Sequence, residues 1–292
     1  MSAPLTRADL VAALRFYDEA GVDIALNDTP IDRYAAEEQR IADMATKAQA
    51  AVAERQAKQT PPPLQRSEPN LFGGDDGDSP LGAAETVTSV RNLLQGVDTL
   101  EGLRAALTDF KGMAIAETAT NMVFSDGNPE ADLMLIGEAP GSQEDRQGLP
   151  FVGESGQLLD RMLAAIGLDR QTGCYITNIV NFRPPGNRNP SASEIAISLP
   201  FLQRHVALVK PKVIVALGGV PAKALTDRPE GIMKLRGRWF DFGPTTEEPA
   251  LQQAPIPMLA TFHPAFLLRQ PARKREAWRD LLALKARMAA LD

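Results

Sequence analysis

The sequence Ala131-Asp132-Leu133-Met134-Leu135-Ile136-Gly137-Glu138-Ala139-Pro140-Gly141 decides the fold. Its apolar run is typical of a buried β-strand, and the glycine-proline stretch after it predicts a loop. A second short motif, Pro150-Phe151-Val152-Gly153, follows and adds an aromatic ring between loop-forming residues. Ligands of α/β sheets bind beyond the carboxyl ends of the strands, so this segment predicts a binding site as well as a strand.

Strand patterns alternate with helical patterns along the rest of the chain. The predicted strands are residues 133–136, 174–180, 213–217 and 258–261. The predicted helices are residues 84–95, 99–110, 155–166, 192–210, 221–225 and 273–290. This alternation predicts an α/β fold, with three layers (α/β/α) and a central, mostly parallel four-stranded sheet.

The beginning of the chain differs from the rest in composition. Residues 1–60 are predicted to form an N-terminal helical appendage, whose apolar residues are mostly alanine and would pack weakly. Residues 61–85 are rich in Pro, Gly and Asp, which indicates a linker. The main domain is therefore expected at residues 86–292.

Composition excludes several classes of protein. Hydrophobic residues make up 44% of the chain and charged residues 23%, as in globular proteins. No apolar run reaches the roughly 18 residues of a transmembrane helix, and the N-terminus lacks a secretory signal pattern, so we expect no membrane association. Cys174 is the single cysteine, which excludes an intramolecular disulfide and a four-cysteine metal site. We expect a cytoplasmic protein without a bound metal.

The net charge of −6 conceals an uneven distribution. Residues 201–292 contain 15 Lys and Arg against 8 Asp and Glu, a net charge of +7, so residues 1–200 carry −13. Phosphate contacts need a local basic surface and not a basic whole chain. The C-terminal third is therefore compatible with binding to nucleic acid.

Four motifs in this order resemble the family-4 type of uracil-DNA glycosylase. They are the glycine loop with Pro150-Phe151-Val152-Gly153, the segment from Tyr175-Ile176-Thr177-Asn178 to Asn187-Arg188, Val215-Ala216-Leu217-Gly218, and His263-Pro264-Ala265-Phe266-Leu267-Leu268-Arg269. The resemblance covers about residues 108–290. It implies a uracil-DNA glycosylase-like fold and a monofunctional enzyme, which hydrolyses the N-glycosidic bond of deoxyuridine in DNA and leaves an abasic site.

One departure from the family concerns its cofactor. Members usually hold an iron–sulfur cluster on four cysteines, and the matching residues here are Phe110, Met113, Phe182 and Ser198. Without thiolates the cluster cannot be ligated, so we expect no cofactor and a small hydrophobic contact in its place. Altered loop geometry leaves an alternative open: a protein that binds uracil or an abasic site in DNA with weak or no turnover.

The resemblance also assigns roles in base binding. The residues predicted to contact uracil are Gly137, Ala139, Phe151, Asn178 and His263. Phe151 would stack on the flipped base, unless it is a core residue. The Asn178 amide offers a donor beside an acceptor, which matches uracil and rejects cytosine; the alternative is an Asx turn. His263 would donate to uracil O2 and stabilise the leaving anion.

Glu138 and His263 are the predicted catalytic residues. Glu138 lies in the glycine loop, where a carboxylate could position water or stabilise the sugar cation. Glu144 and Asp145 are the competing candidates for this pocket or water-positioning role. Glu144 could instead lie near uracil C5 and exclude the methyl group of thymine. A solvated acidic turn is the alternative for both.

Two loops are predicted to contact DNA. Asn187 and Arg188 follow a rigid Pro-Pro-Gly segment, where an amide and a cation suit backbone contacts. Leu267, Leu268 and Arg269 follow the His-Pro motif, and apolar side chains there could fill the gap left by a flipped base. The alternative is that the leucines are buried in a helix. Uracil-containing DNA is the expected partner, and the protein is expected to be a monomer.

Overall fold

The computed structural model describes residues 82–243 and 255–291. All of them belong to the second of the two units into which the chain divides, Leu71–Asp292. The appendage predicted for residues 1–60 and nearly all of the linker predicted for residues 61–85 lie outside the described residues. Within the described ranges, no helix is long and apolar enough to cross a membrane.

A six-stranded sheet forms the centre of the described part. Its strands are β1 Asp126–Gly127, β2 Leu133–Gly137, β3 Tyr175–Asn178, β4 Val213–Leu217, β5 Trp239–Phe242 and β6 Ile256–Thr261. They are ordered β1-β3-β2-β4-β6-β5. The four central strands are parallel, whereas β1 and β5 pair antiparallel at the edges. The predicted α/β fold with a mostly parallel sheet is therefore confirmed.

The predicted count of four strands is wrong, because it missed both edge strands. β1 consists of Asp126 and Gly127, two residue types that are depleted in strands. In β5 only Phe242 is buried, and Trp239 is exposed. The central strands are buried on both faces and therefore carry continuous apolar runs, which sequence periodicity detects more readily.

Helices cover both faces of the sheet. The α-helices of the described ranges are α1 Ala83–Leu93, α2 Leu100–Asp109, α3 Ile115–Thr118, α4 Ser142–Gln147, α5 Glu154–Ala165, α6 Ala192–Val209, α7 Gly219–Thr226, α8 Ile232–Leu235, α9 Pro264–Arg269 and α10 Lys274–Met288. The six predicted helices correspond to α1, α2, α5, α6, α7 and α10. The four missed helices are short, with four to six residues each.

Successive residues of the central strands enter two separate hydrophobic cores. In β2, Met134 and Ile136 join the core that contains residues of α1, α2 and α6, whereas Leu133 and Leu135 join the core that contains residues of α5 and α10. This alternation follows from the two-residue period of a strand. It establishes the three layers.

His205 is a buried residue of α6 that packs against the first core. Its Nε2 is 2.8 Å from the oxygen of the Tyr175 hydroxyl, and that hydroxyl donates its hydrogen to Ser125 Oγ at 2.7 Å. Its ring stacks on Phe124 with 4.5 Å between centroids. Burial lowers the pKa of His205 from 6.5 to about 3, so the native protein keeps this ring neutral.

We expect the free energy of unfolding to fall between about pH 7 and about pH 5. The unfolded chain binds a proton at His205 near its ordinary pKa of 6.5, whereas the native protein binds it only near pH 3. The contribution of His205 to this loss should be on the order of 1–2 kcal/mol at pH 5. Urea unfolding at the two pH values measures it, and His205→Gln should show a smaller pH dependence. Equal dependence in both proteins would contradict this account.

Candidate active site

A cavity of about 460 Å³ opens at the carboxyl ends of the parallel strands. Its wall contains Glu138 after β2, Asn178 at the end of β3, Gly218 after β4 and His263 beyond β6. Because parallel strands end at the same edge of a sheet, residues far apart in sequence meet there. The volume is that of a site for a small molecule or a single residue of a polymer.

Gly137 does not line the cavity, but it lies directly against two residues that do, Asn178 and Phe151. It pairs with Asn178 in the parallel register of β2 and β3. A Cβ atom at Gly137 would lie 2.3 Å from Asn178 Oδ1 and 2.6 Å from Phe151 Cε2. The missing side chain therefore provides the space in which the amide and the aromatic ring sit side by side.

Asn178 and Phe151 are both buried against this glycine and both line the cavity. Across the described residues, the Asn178 amide has no hydrogen-bond partner, so its donor and acceptor are free to bind a ligand. An Asx turn at Asn178 would require a backbone hydrogen bond that is not found in this part of the chain. The Phe151 ring lies 5.4 Å from the His263 ring, tilted by 30°.

His263 is held as a neutral hydrogen-bond donor. It caps α9, where its Nδ1 accepts a hydrogen bond from the Ala265 backbone N–H at 3.1 Å. An accepting Nδ1 leaves the proton of the neutral ring on Nε2. Burial, assisted by the charge of Arg269 and opposed by Glu144, lowers the pKa of His263 to about 4. At neutral pH the ring therefore offers an N–H donor without a positive charge.

Glu138 and Glu144 both line the cavity, but their surroundings differ. Within the described ranges the Glu138 carboxylate has no hydrogen-bond or ion-pair partner, and burial raises its pKa. Glu144 accepts hydrogen bonds from the backbone N–H groups of Gly141, Val152 and Gly153 at 3.1, 3.0 and 2.9 Å. Glu144 therefore joins the glycine loop to the loop that carries Phe151.

The structure does not bring Asp145 to the cavity, so its predicted pocket role is wrong. Asp145 is 2% exposed and accepts hydrogen bonds from the backbone N–H groups of Thr120 and Asn121 at 2.8 and 3.1 Å. These hydrogen bonds and the charge of Arg183 lower the pKa of Asp145 despite its desolvation. The sequence alone cannot distinguish a carboxylate that holds a loop from one that faces a ligand.

Asn187 and Arg188, which the sequence predicts to contact DNA, lie on the cavity wall. Asn187 adopts a left-handed backbone conformation, with φ of 56°, and its side-chain oxygen accepts a hydrogen bond from Arg183 Nε at 2.7 Å. Arg188 forms two hydrogen bonds with Glu194 at 2.8 and 2.6 Å, and Glu194 also caps α6. The guanidinium is thus fixed at the mouth of the cavity.

The three residues predicted after the His-Pro motif separate in the structure. Leu267 is 1% exposed in the second core, so its predicted role as a wedge between bases is wrong. Leu268 is 36% exposed. Arg269 lines the cavity and has no ion-pair partner among the residues described. The short helix α9 causes this separation, because neighbouring helical residues point in different directions.

The end of β6 that leads to His263 is held by a buried carboxylate. Asp280 in α10 is 2% exposed and accepts a hydrogen bond from Thr261 Oγ1 at 2.7 Å. It also pairs with Arg236, whose guanidinium lies 5.4 Å from the ring centre of Phe262. Phe262 itself lines the cavity. This network fixes the segment from which His263 projects.

Several wall residues were missed by the sequence analysis. Ser155 comes from the first turn of α5, Ile232 from α8, and Phe262 and Phe266 from either side of His263. The proximity of both phenylalanines to the His-Pro motif was a usable signal. Ser155 and Ile232 carried none, because only tertiary packing brings their helices to the strand ends.

The four positions that match the family's cluster cysteines do not fit an iron–sulfur cluster. These positions are Phe110, Met113, Phe182 and Ser198. Met113 and Phe182 are buried in the first core, with Phe110 packed against it. The Ser198 hydroxyl lies 3.7 Å from Met113 Sδ, and the Phe110 ring lies 5.5 Å from that of Phe201. No thiolate is available among them, and iron–sulfur clusters require such ligands.

Cys174 does not compensate for the missing thiols. It is fully buried beside β3, and its Sγ lies 3.7 Å from the Arg170 carbonyl. Burial raises the pKa of its thiol to about 12, so it remains protonated. Within the described ranges, no group of three or more His, Cys, Asp or Glu side chains could hold a metal ion.

Comparison with known proteins agrees with this geometry. Residues 124–282 match the model of the uracil DNA glycosylase superfamily. A type-4 uracil-DNA glycosylase of Pyrobaculum aerophilum is 37% identical over 165 residues, which cover 55% of this chain and 80% of that protein. One from Archaeoglobus fulgidus is 32% identical over 184 residues, covering 62% and 88%. One from Thermotoga maritima is 37% identical over 151 residues, covering 51% and 73%.

The fold and the cavity define an α/β protein that can stack a flat ring and hydrogen-bond its edge at the strand ends. The chain belongs to the uracil-DNA glycosylase superfamily. The resemblance drawn from the four motifs is therefore confirmed at the level of the family.

The neutral state of His263 can be observed directly. We expect ring-nitrogen NMR shifts to show the Nε2–H tautomer at neutral pH, with protonation only near pH 4, because burial disfavours the charged ring. The chain contains one other histidine, His205, so a His263→Gln variant assigns the signals. The His263 signals are those that disappear in this variant. If they titrate in the parent protein near the ordinary histidine pKa of 6.5, that result would contradict the geometry described for the site.

Proposed function

We propose that this protein is a monofunctional uracil-DNA glycosylase of base excision repair. It would hydrolyse the N-glycosidic bond of deoxyuridine in DNA and leave an abasic site. One observation carries the proposal: a hydrogen-bonding amide, Asn178, lies unpaired beside an aromatic ring, Phe151, and a neutral imidazole, His263. The family membership of the chain supports the same activity.

Base recognition would depend on Asn178 and Phe151. The amide oxygen would accept N3–H of uracil while the amide nitrogen donates to O4. Cytosine presents the opposite pattern at these two positions, so the same amide would leave two polar groups unpaired against it. The Phe151 ring would stack on the base after it leaves the helix. The backbone of Ala139 on the cavity wall would approach the other edge of the ring.

His263 would stabilise the departing base. Breaking the glycosidic bond leaves negative charge on uracil, and a donor directed at O2 stabilises it. A neutral imidazole whose Nδ1 accepts a hydrogen bond carries its proton on Nε2 and can donate it to O2. The arrangement is supported by the Ala265 N–H bond that occupies Nδ1.

Glu138 would act on the attacking water or the sugar, whereas His263 acts on the departing base. Its unpartnered carboxylate lies on the cavity wall and, when ionised, could orient the attacking water or stabilise the positive charge on the sugar. Glu144 is a weaker candidate, because three backbone N–H groups already occupy its oxygens. The described cavity wall contains no lysine, which supports a hydrolytic reaction without a Schiff-base lyase step.

DNA contacts would surround the cavity. Arg269, which has no ion-pair partner in the described ranges, would bind a phosphate, and the exposed Leu268 would fill the gap left by the flipped base. Asn187 and Arg188, which also line the cavity, would contact the DNA backbone. We further propose a cytoplasmic monomer, in which residues 86–292 form the glycosylase domain.

An excision assay tests this function. The protein should release uracil from a uracil-containing oligonucleotide, and Asn178→Ala or His263→Ala should each slow the single-turnover rate by roughly 100-fold or more. Lys212→Gln is a matched control, because Lys212 pairs with Asp132 at the amino-terminal end of the strands. It should retain the parental rate.

One result would contradict the enzymatic activity, and another would contradict the assignment of the site. Tight binding of the oligonucleotide without released uracil, at stoichiometric protein, would favour a binding protein over an enzyme. Unchanged rates in both alanine variants would reject the site, even if excision occurs.

We expect the rate of uracil excision to fall as the pH is lowered through the pKa of Glu138, which lies above 4.5. Burial raises the pKa of Glu138 from that value, and its ionised form is the active one, so activity is lost as the pH falls through the raised pKa. Single-turnover rates across pH give the profile. Glu138→Gln should be slower by roughly 100-fold or more and lack this limb. An unaltered limb in the variant would assign it to another group.

A further inference from the structure

Phe151 is held in an unusual backbone conformation. Its φ is 54°, in the left-handed region of backbone conformation that residues other than glycine seldom adopt. Such strain costs on the order of 1 kcal/mol or more and persists only where the surroundings enforce it. A residue elsewhere in the structure must therefore stabilise this turn.

Arg170 makes the polar contacts that do so. Its Nη2 donates to the Phe151 carbonyl at 2.6 Å, and its Nη1 donates to the Pro150 carbonyl at 3.1 Å. The Arg170 side chain is 13% exposed. Hydrogen bonds from a charged donor are about twice as strong as neutral ones, so this pair is suited to holding a strained carbonyl in place.

Two carboxylates fix the guanidinium in turn. Asp126 in β1 accepts a hydrogen bond from Nη1 at 2.8 Å, and Asp160 in α5 accepts one from Nε at 2.7 Å. The edge strand, the helix and the turn thus meet at Arg170. A planar fork with several donors can satisfy all of these acceptors at once, which a lysine ammonium cannot do in the same geometry.

Gly156 in α5 also packs closely against the Phe151 carbonyl. A Cβ atom at Gly156 would lie 1.7 Å from the Phe151 oxygen. The carbonyl is therefore enclosed between the backbone of α5 and the guanidinium. This leaves the turn little freedom, and the position of the ring follows from it.

We propose that Arg170 is a positioning residue, which fixes the plane of the Phe151 ring for stacking on the base. This inference rests on the proposed function, because a stacking plane matters only if a base enters the cavity. Arg170 does not line the cavity. Its effect on the reaction would be transmitted entirely through the turn at residues 150–151.

A general structural role makes a different prediction from a positioning role. If Arg170 only stabilises the fold, its removal should lower stability and impair the reaction whether or not residue 151 is aromatic. If it positions the ring, its removal should matter little once the ring is absent. A double-mutant cycle between Arg170 and Phe151 separates the two.

The experiment compares Arg170→Gln, Arg170→Lys, Phe151→Ala and the double variant Phe151→Ala/Arg170→Gln with the parent protein. Single-turnover uracil excision is measured well below the unfolding temperature of each protein. We expect Arg170→Gln to slow excision between about tenfold and a hundredfold, since small misplacements of reacting groups have effects of this size. In the Phe151→Ala background the same change should slow excision less than about twofold.

Arg170→Lys guards against a variant that fails to fold. It keeps the positive charge beside both carboxylates but cannot donate to them and to both carbonyls in the same geometry, so it should fold and still be slowed. Lys212→Gln is again the control for loss of a cation in an ion pair. Equal effects of Arg170→Gln in the two backgrounds, or parental rates in both Arg170 variants, would overturn the inference. Activity of the parent protein keeps that outcome distinct from failure of the proposed function.

Discussion

The close approach of β2 and β3 at Gly137 is the constraint on which the site depends. Parallel pairing places Gly137 opposite Asn178, and the absence of a side chain lets the Phe151 ring enter the same space. Any Cβ atom would displace the amide, the ring or both. Glycine is required at this position because there is no room for a Cβ atom. Its backbone angles are ordinary, so its conformational freedom is not the reason.

Charged side chains bonded to backbone groups hold the loops around this point. Glu144 accepts from three N–H groups of two loops, and Arg170 donates to two carbonyls of one of them. Such charge-assisted bonds restrain the backbone more firmly than neutral ones. In the positions where relatives with a cluster would have cysteines, Met113 and Phe182 pack in the core instead.

Burial shifts the two proposed catalytic groups in opposite directions. Desolvation disfavours whichever form carries charge, so it lowers the pKa of His263 and raises that of Glu138. The histidine becomes a neutral donor, and the carboxylate becomes easier to protonate. Burial therefore accounts both for the uncharged hydrogen-bond donor, His263, and for the expected loss of activity when Glu138 is protonated.

The sequence by itself determined the four parallel strands, the longer helices and the family, because buried strands carry continuous apolar runs and the motifs survive as local patterns. It also singled out Asn178, the last residue of β3, and His263, two residues beyond β6, and both line the cavity. Only the tertiary structure decided that Asp145 holds a loop, that Leu267 is buried, and that β1 supplies Asp126 to Arg170. Those outcomes depend on contacts between residues distant in sequence, and the chemistry of a single side chain does not reveal which partner it will meet.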